Sequence, residues 1–203
     1  MKHHAALPFD ELGAFTADLR RQPGIAAKAL EFLILTATRT SEVTGAKPKE
    51  IDRKAAVWII PEGRIKAGRE HRVPLSPRAL EILEEVEPLS HGYVFPGGKR
   101  GRPLSENALL ALLKRMGRSD LTAHGFRSTF RDWASERTNY PHEVAEMALA
   151  HAIPSGVERA YRRGDLFTKR TRMMVDWAKF CARPRPVGDV VSINAKEPTK
   201  ARE

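Results

Sequence analysis

The stretch IAAKALEFLILTATR (25–39) constrains the fold of this chain more than any other. It is apolar nearly all round a helical wheel, and such a helix is stable only when buried. The segment before it, PFDELGAFTADLRRQPG (8–24), opens with Pro8, has Asp10 and Glu11 early, and ends in arginines before Pro-Gly. That order of charges complements a helix dipole and predicts a second helix. KEIDRKAAVWIIPEG (49–63) holds the β-rich run Val57-Trp58-Ile59-Ile60, stopped by Pro61 and Gly63, and RIKAGREHRVPLS (64–76) turns at Gly68 between short extended pieces. Two or three antiparallel strands in a small meander follow from that pattern.

Ser76-Pro77 places an N-cap and a first-position proline at the head of a helix through about Val86. YVFPGGKRGRPLS (93–105) reads as a short strand and a basic, glycine-rich loop. Ser105 then caps a helix that stops at Gly117. Further helices are predicted over roughly 125–138, 141–150, 155–162 and 165–182. The last carries Leu166, Met173, Trp177 and Phe180 or Cys181 on one face, a spacing that suits a core or a docking surface. The tail from Pro184 has little apolar content and is expected to fray. The fold class predicted is therefore mainly α with a small antiparallel β-sheet, an α+β domain over residues 1–182 with a flexible tail at 183–203.

At 203 residues the chain can bury one good-sized core or two small ones, and 41% hydrophobic residues exclude a disordered composition. A single cysteine, Cys181, excludes an intramolecular disulfide and any multi-cysteine metal site. MKHHAALPFDEL lacks an apolar signal core and no apolar run reaches membrane-spanning length, which predicts a soluble, cytoplasmic protein with no membrane partner. The formal charge is +10, and it is uneven. Residues 1–53 carry eight Lys/Arg and seven Asp/Glu, whereas Gly97 to Arg118 carries six Lys/Arg against Glu106 alone. Charge concentrated in this way suggests a surface that meets phosphate.

Three clusters hold polar residues that a packed core would not choose. In TATRTSEV (36–43), Arg39 and Glu42 follow the apolar helix directly. A helix-end arginine paired with a glutamate is ordinary on a surface, but a buried guanidinium requires acceptors. In TAHGFRSTFRDWASE (122–136), His124 and Arg127 lie three apart at a helix start, with Phe126, Phe130 and Trp133 available to anchor that helix. In ALAHAIPSGVERAYRRGD (148–165), His151 ends one helix and Tyr161 stands ten residues later, before Arg162 and Arg163.

Taken together, the order Arg…Lys…His-x-x-Arg…His…Tyr resembles the tyrosine recombinase, or phage integrase, family. The phrases RTSEV, HRVPLS, HGFRSTFRDWA, ALAH and VERAYRR carry the resemblance over roughly residues 5–182, and it is closest to integrases of prophages and genomic islands. It implies a catalytic-core domain of that fold, with the family's core-binding and arm-binding domains absent ahead of it. It further implies that Tyr161 attacks a DNA phosphodiester to form a 3′-phosphotyrosyl link. Arg39 and Arg127 would clamp the phosphate, and Lys66 would protonate the leaving 5′-oxygen. Arg64 and Arg69, its neighbours, donate protons poorly at neutral pH. His124 would take the tyrosine proton or hold the phosphate, His151 would donate to a non-bridging oxygen, and Glu42 would orient the basic groups. His71 also matches a family phrase, with a less defined role; His142 is read as a surface residue.

The same resemblance implies no metal and no cofactor, because guanidinium, imidazole and ammonium supply the electrostatic work. Lys99, Arg100, Arg102, Lys114, Arg115, Arg159, Arg162 and Arg163 are candidates for DNA-backbone contacts. The implied partners are double-stranded DNA attachment sites, a homo-tetramer on DNA from a monomer in solution, and accessory DNA-bending or directionality factors. The implied setting is the bacterial cytoplasm, at the nucleoid when DNA-bound. Two other readings accommodate the same residues: a type IB topoisomerase-like relaxation activity, and a non-catalytic DNA-binding or assembly remnant.

Overall fold

The computed structural model describes residues 5–65, 68–151 and 164–183. A single 3-10 turn over Phe9–Glu11 leads into α1 (Leu12–Arg20), followed by α2 (Ile25–Thr36) and the short α3 (Thr40–Thr44). Strands β1 (Ile51–Asp52), β2 (Val57–Ile60) and β3 (His71–Pro74) come next. The remaining α-helices among the described residues are α4 (Pro77–Val86), α5 (Glu106–Arg115), α6 (Gly125–Arg137), α7 (His142–Ala148) and α8 (Phe167–Cys181).

As its composition requires, α2 is the axis of the core. Every residue from Ala29 to Thr36 is buried, and α1, α4, α5, α6 and α8 all pack on it. Its one acid, Glu31, is buried as well, and it accepts from Arg20 Nε at 2.7 Å and Arg78 Nε at 2.9 Å. The carboxylate thus gains guanidinium partners from α1 and α4 in place of water, which is what a buried charge needs. The helix stops at Thr36, three residues short of the end predicted, because Ala37 turns left-handed at φ +50°.

The sheet is the antiparallel meander β1-β2-β3, with Trp58 opposite Val73 and Ile60 opposite His71. Trp58 and Phe95 both lie against Phe32, at ring-centroid distances of 5.5 and 5.4 Å, so the sheet closes one flank of α2. The strand predicted near 93–96 is not formed. Pro96 and Pro103 make an isolated bridge, and two prolines have no N–H with which to extend a ladder. The helix starts at Ser76 and Ser105 are as predicted: Ser76 Oγ accepts from Ala79 N–H and Ser105 Oγ from Asn107 N–H.

Helix α8 places Met173, Trp177 and Cys181 fully inside. Trp177 lies edge-on to Phe130 at 5.2 Å and 4.9 Å from Trp133, and its indole N–H donates to the Ile34 carbonyl at 2.7 Å. Its apolar face is therefore core of the same chain rather than a surface left for a partner. The predicted helix at 155–162 and the tail from Pro184 fall outside the described residues.

The N-terminal segment straps α6 in place. Thr129 Oγ1 donates to the Leu7 carbonyl at 2.6 Å, and Gly125 passes so close to Ala5 that a Cβ there would lie 2.1 Å from its carbonyl oxygen. Gly125→Ala must push this strap away and is expected to destabilise the fold by about 1–3 kcal/mol. Gly98→Ala meets nothing within 4 Å and serves as the neutral comparison. Urea unfolding of the two variants measures the difference.

Candidate active site

Arg127 leaves the first turn of α6 and is 4% exposed, with its guanidinium across the ends of two other helices. Nη1 donates to the Ala37 carbonyl at 2.5 Å, at the end of α2, and Nη2 donates to the Leu149 carbonyl at 2.6 Å, at the end of α7. Helix C-termini carry unsatisfied carbonyls and partial negative charge, so they are natural seats for a cation. Both ends are shaped by a non-glycine residue in the left-handed region, Ala37 and Ala150, each at φ +50°. Burial lowers the Arg127 pKa to about 10, with the nearby Arg39 cation adding to the effect and Glu42 and Glu146 opposing it. The side chain keeps its charge at neutral pH.

Arg39 stands at the N-cap of α3 in extended conformation. Glu42, one turn on, accepts from the Arg39 backbone N–H and from its Nη1, both at 2.8 Å. The Glu42 side chain is 2% exposed and that of Arg39 21%, so this pair is not the solvated surface bridge its i,i+3 spacing allows. One buried carboxylate caps a helix and aims a guanidinium at the same time. Glu42 also presents its carbonyl to Arg64 Nη2, and Arg64 pairs in turn with Glu50. Arg64 is therefore a structural clasp between Glu50 and the Glu42 carbonyl, while Arg69 is exposed.

His71, at the start of β3, is buried within the field of the same groups. Burial first, then the Arg170 cation, lowers its pKa to about 4; Glu42 and the Ala148 carbonyl pull it up, and Arg127 adds a downward push. The ring is held neutral.

His151 completes the cluster. Its Nε2 lies 3.2 Å from Arg127 Nη2 and its Nδ1 2.9 Å from the Glu146 carboxylate, with the side chain 38% exposed. His124 caps α6 and is exposed, its carbonyl accepting the Arg127 backbone N–H, so the two residues of HxxR share a turn but not an environment. The structure thus brings Arg39, Glu42, His71, Arg127 and His151 together from four separate elements. Lys66 and Tyr161, with Arg159, Arg162 and Arg163, lie outside the described residues.

Glu146 went unread in the sequence, although its place at the end of α7, one turn before His151, is a signal of a helix-end pair. Arg170 also went unread; fully buried, it bonds the Arg72 and Asp165 carbonyls and so ties α8 to β3. Lys99, Arg100, Arg102, Lys114 and Arg115 are all exposed, and among the described residues no carboxylate pairs with them. Arg118, from the same stretch, is taken up by Asp120 and lies 3.9 Å from Glu11. Among the described residues no three His, Cys, Asp or Glu side chains gather as a metal site, and no helix is long and apolar enough to cross a membrane.

The His71 environment gives a sign for stability against pH. A histidine of ordinary pKa 6.5 when unfolded and about 4 when folded binds its proton first in the unfolded chain. Its contribution is complete above pH 6.5 and is lost as pH falls toward 4, about 3 kcal/mol in all. Denaturant titrations from pH 7 to 4 are expected to show that loss, and His71→Gln to flatten it.

The model of the phage integrase family matches residues 7–166. Prophage integrase IntA of Escherichia coli K12 is 42% identical over 149 residues, covering 71% of this chain and 36% of that protein. Prophage integrase IntZ of the same strain is 36% identical over 180 residues, covering 87% and 44%. The chain therefore spans less than half the length of these two relatives. Among solved structures, the integrase of mycobacterium phage Brujita superposes with a TM-score of 0.64 at 20% identity, covering 86% of this chain and 59% of that one. A lambda integrase dimer bound to a COC′ core site superposes with a TM-score of 0.59 at 19% identity, covering 75% and 59%. At such identities these matches speak for the fold, and the fold they share is the one described above. The family match over most of the chain makes the assignment: this chain belongs to the phage integrase family.

Proposed function

We propose that the chain is the catalytic domain, over residues 1–182, of a site-specific DNA recombinase that breaks and rejoins strands through a 3′-phosphotyrosyl intermediate. The observation that carries the reading is the convergence of Arg39 and Arg127 with His151, with Arg127 seated on two helix ends. Two guanidiniums held at one point before any substrate arrives are an anion site, and planar N–H pairs match phosphate oxygens. Among the described residues Arg127 uses three of its five N–H donors, one of them toward His151.

The chemistry requires such a site. A phenol of pKa about 10 is only about 0.1% ionised at neutral pH, so Tyr161 needs a route for its proton. His124, exposed at the head of α6, takes that proton or holds the phosphate. Arg39 and Arg127 stabilise the charge that gathers on the non-bridging oxygens as the pentacoordinate state forms. Lys66 protonates the departing 5′-oxygen; the engagement of Arg64 with Glu50 and Glu42 supports Lys66 over that neighbour. His151 donates to a non-bridging oxygen. The phosphotyrosyl bond retains the energy of the broken linkage, so rejoining needs no nucleotide and no cofactor.

The substrate under this reading is a double-stranded attachment site, gripped through the exposed basic residues of 97–115 and through Arg159, Arg162 and Arg163. Assembly is a homo-tetramer on DNA from a monomer in solution, with accessory bending or directionality factors. The site of action is the bacterial cytoplasm and nucleoid, and the outcome is integration or excision of a mobile element. Lambda integrase chains of the same fold were solved as a dimer on a core site and as a tetramer on a Holliday junction, which supports DNA and self-assembly as partners.

A DNA substrate nicked near the scissile phosphate traps the intermediate. The expected result is a denaturation-resistant protein–DNA adduct that disappears in Tyr161→Phe; an adduct persisting in that variant overturns the assignment of the nucleophile. Arg39→Lys is expected to slow adduct formation by on the order of 10²–10³-fold. Separately, Lys99→Ala and Arg102→Ala should each reduce the slope of log affinity against log salt by about 0.9. An unchanged slope removes those residues from the DNA face.

A further inference from the structure

We propose that Glu146 is a positioning residue of this site: it holds the His151 ring with the Nδ1 proton on the carboxylate, so that Nε2 faces the Arg127 guanidinium and carries a second proton when phosphate binds there. The inference rests on the recombinase reading for its phosphate and on geometry for the rest.

Helix α7 ends with Ala150 in the left-handed conformation. The His151 backbone N–H bonds back to the Glu146 carbonyl at 2.9 Å, and the Ala150 N–H bonds to Met147 at 3.1 Å. This six-to-one closure folds residues five apart onto one another, so the two side chains meet without a long-range contact. Glu146 Oε2 then lies 2.9 Å from His151 Nδ1. Its other oxygen, Oε1, is 2.9 Å from Arg131 Nε but makes no aligned hydrogen bond. The directed bond of this carboxylate is therefore the one to His151.

The tautomer follows from the partners. Arg127 Nη2 has hydrogens to give and no lone pair, so His151 Nε2, 3.2 Å away, must accept. Nδ1 then carries the proton and donates it to Glu146. In this state the ring has no hydrogen to offer a non-bridging phosphate oxygen. A phosphate competing for the Arg127 donor frees Nε2, and one proton taken from solvent gives an imidazolium. That ion donates through Nε2 to phosphate and through Nδ1 to Glu146.

Among the described residues, the charged and titratable groups facing this pair are Arg127 and Arg131 from α6 and His142 from α7, with Arg39, Glu42 and His71 around Arg127. Without the Glu146 carboxylate, an imidazolium there joins two guanidiniums with its own countercharge removed. The phosphate-bound, doubly protonated ring is the state that loses most.

Two measurements test this. Long-range proton–nitrogen NMR of the imidazole rings, with the His151 signals assigned through His151→Gln, reads the tautomer in the DNA-free chain. Wild type is expected to show protonated Nδ1 and bare Nε2 at neutral pH, Glu146→Gln a mixture, and Glu146→Asp the wild-type pattern. The second readout is the rate of adduct formation on nicked DNA from pH 6 to 8.5. Glu146→Gln is expected to approach wild type at pH 6 and to fall on the order of tenfold below it at pH 8, with Glu146→Asp restoring most of the difference. A wild-type ring protonated on Nε2, spectra unchanged in Glu146→Gln, or a rate lowered by one factor at every pH each overturns the proposal. If wild type forms no adduct at all, it is the recombinase reading that fails, and the spectra still decide the pairing of Glu146 with His151.

Discussion

Arg127 is the interaction on which the rest of the site depends. Its charge is buried where an unpaired guanidinium is costly, and it is tolerated because two helix ends supply it with carbonyls. The same two bonds fix the relative placement of α2, α6 and α7, so the anchoring of the fold and the assembly of the site are one event. Arg39 stands close by because Ala37 and Thr38 carry the chain directly from the α2 carbonyl that holds Arg127 to the start of α3. His151 stands close by because it follows the α7 carbonyl that holds the other end.

The architecture around that cation is consistent with its demands. Negative helix ends seat the Arg127 guanidinium, Glu42 holds that of Arg39, and the two together attract a charge of opposite sign. Carboxylates are used sparingly and only where they face outward from the centre: Glu42 behind Arg39, Glu146 behind His151. Glu146 also lies against Arg131, so it is shared among basic groups. Farther out, Glu31 in α2 is neutralised by Arg20 and Arg78, which keeps the central helix buried without sending a stray charge into the site.

Much of this was legible in the chain. The Ser-Pro start of α4, the Ser105 cap, the β-rich Val57–Ile60 run and the aromatic anchors of α6 are local signals, and the structure keeps them. The strand near 93–96 failed because two prolines removed the donors a ladder requires. The end of α2 was misplaced because nothing in an alanine announces a left-handed turn; the turn is imposed by the carbonyl that Arg127 takes. The basic stretch 97–118 read as uniform, yet Arg118 is held by Asp120 while its neighbours face solvent.

The sequence by itself determined most of the helical segments described, that α2 must be central, and the order of basic residues ending in Tyr161 that marks the family. Periodicity and caps act over a few residues, and so do the motifs. Only the tertiary structure decided that Arg127 is buried while His124, three residues away, is exposed. It also decided that His71 is a neutral member of the cluster, that the apolar face of α8 is core, and that Glu146 belongs to His151. Those outcomes hang on partners as far as 143 residues apart in the chain, as Trp177 and Ile34 are. A buried charge takes its character from whichever acceptors the fold brings to it, and no local pattern records them.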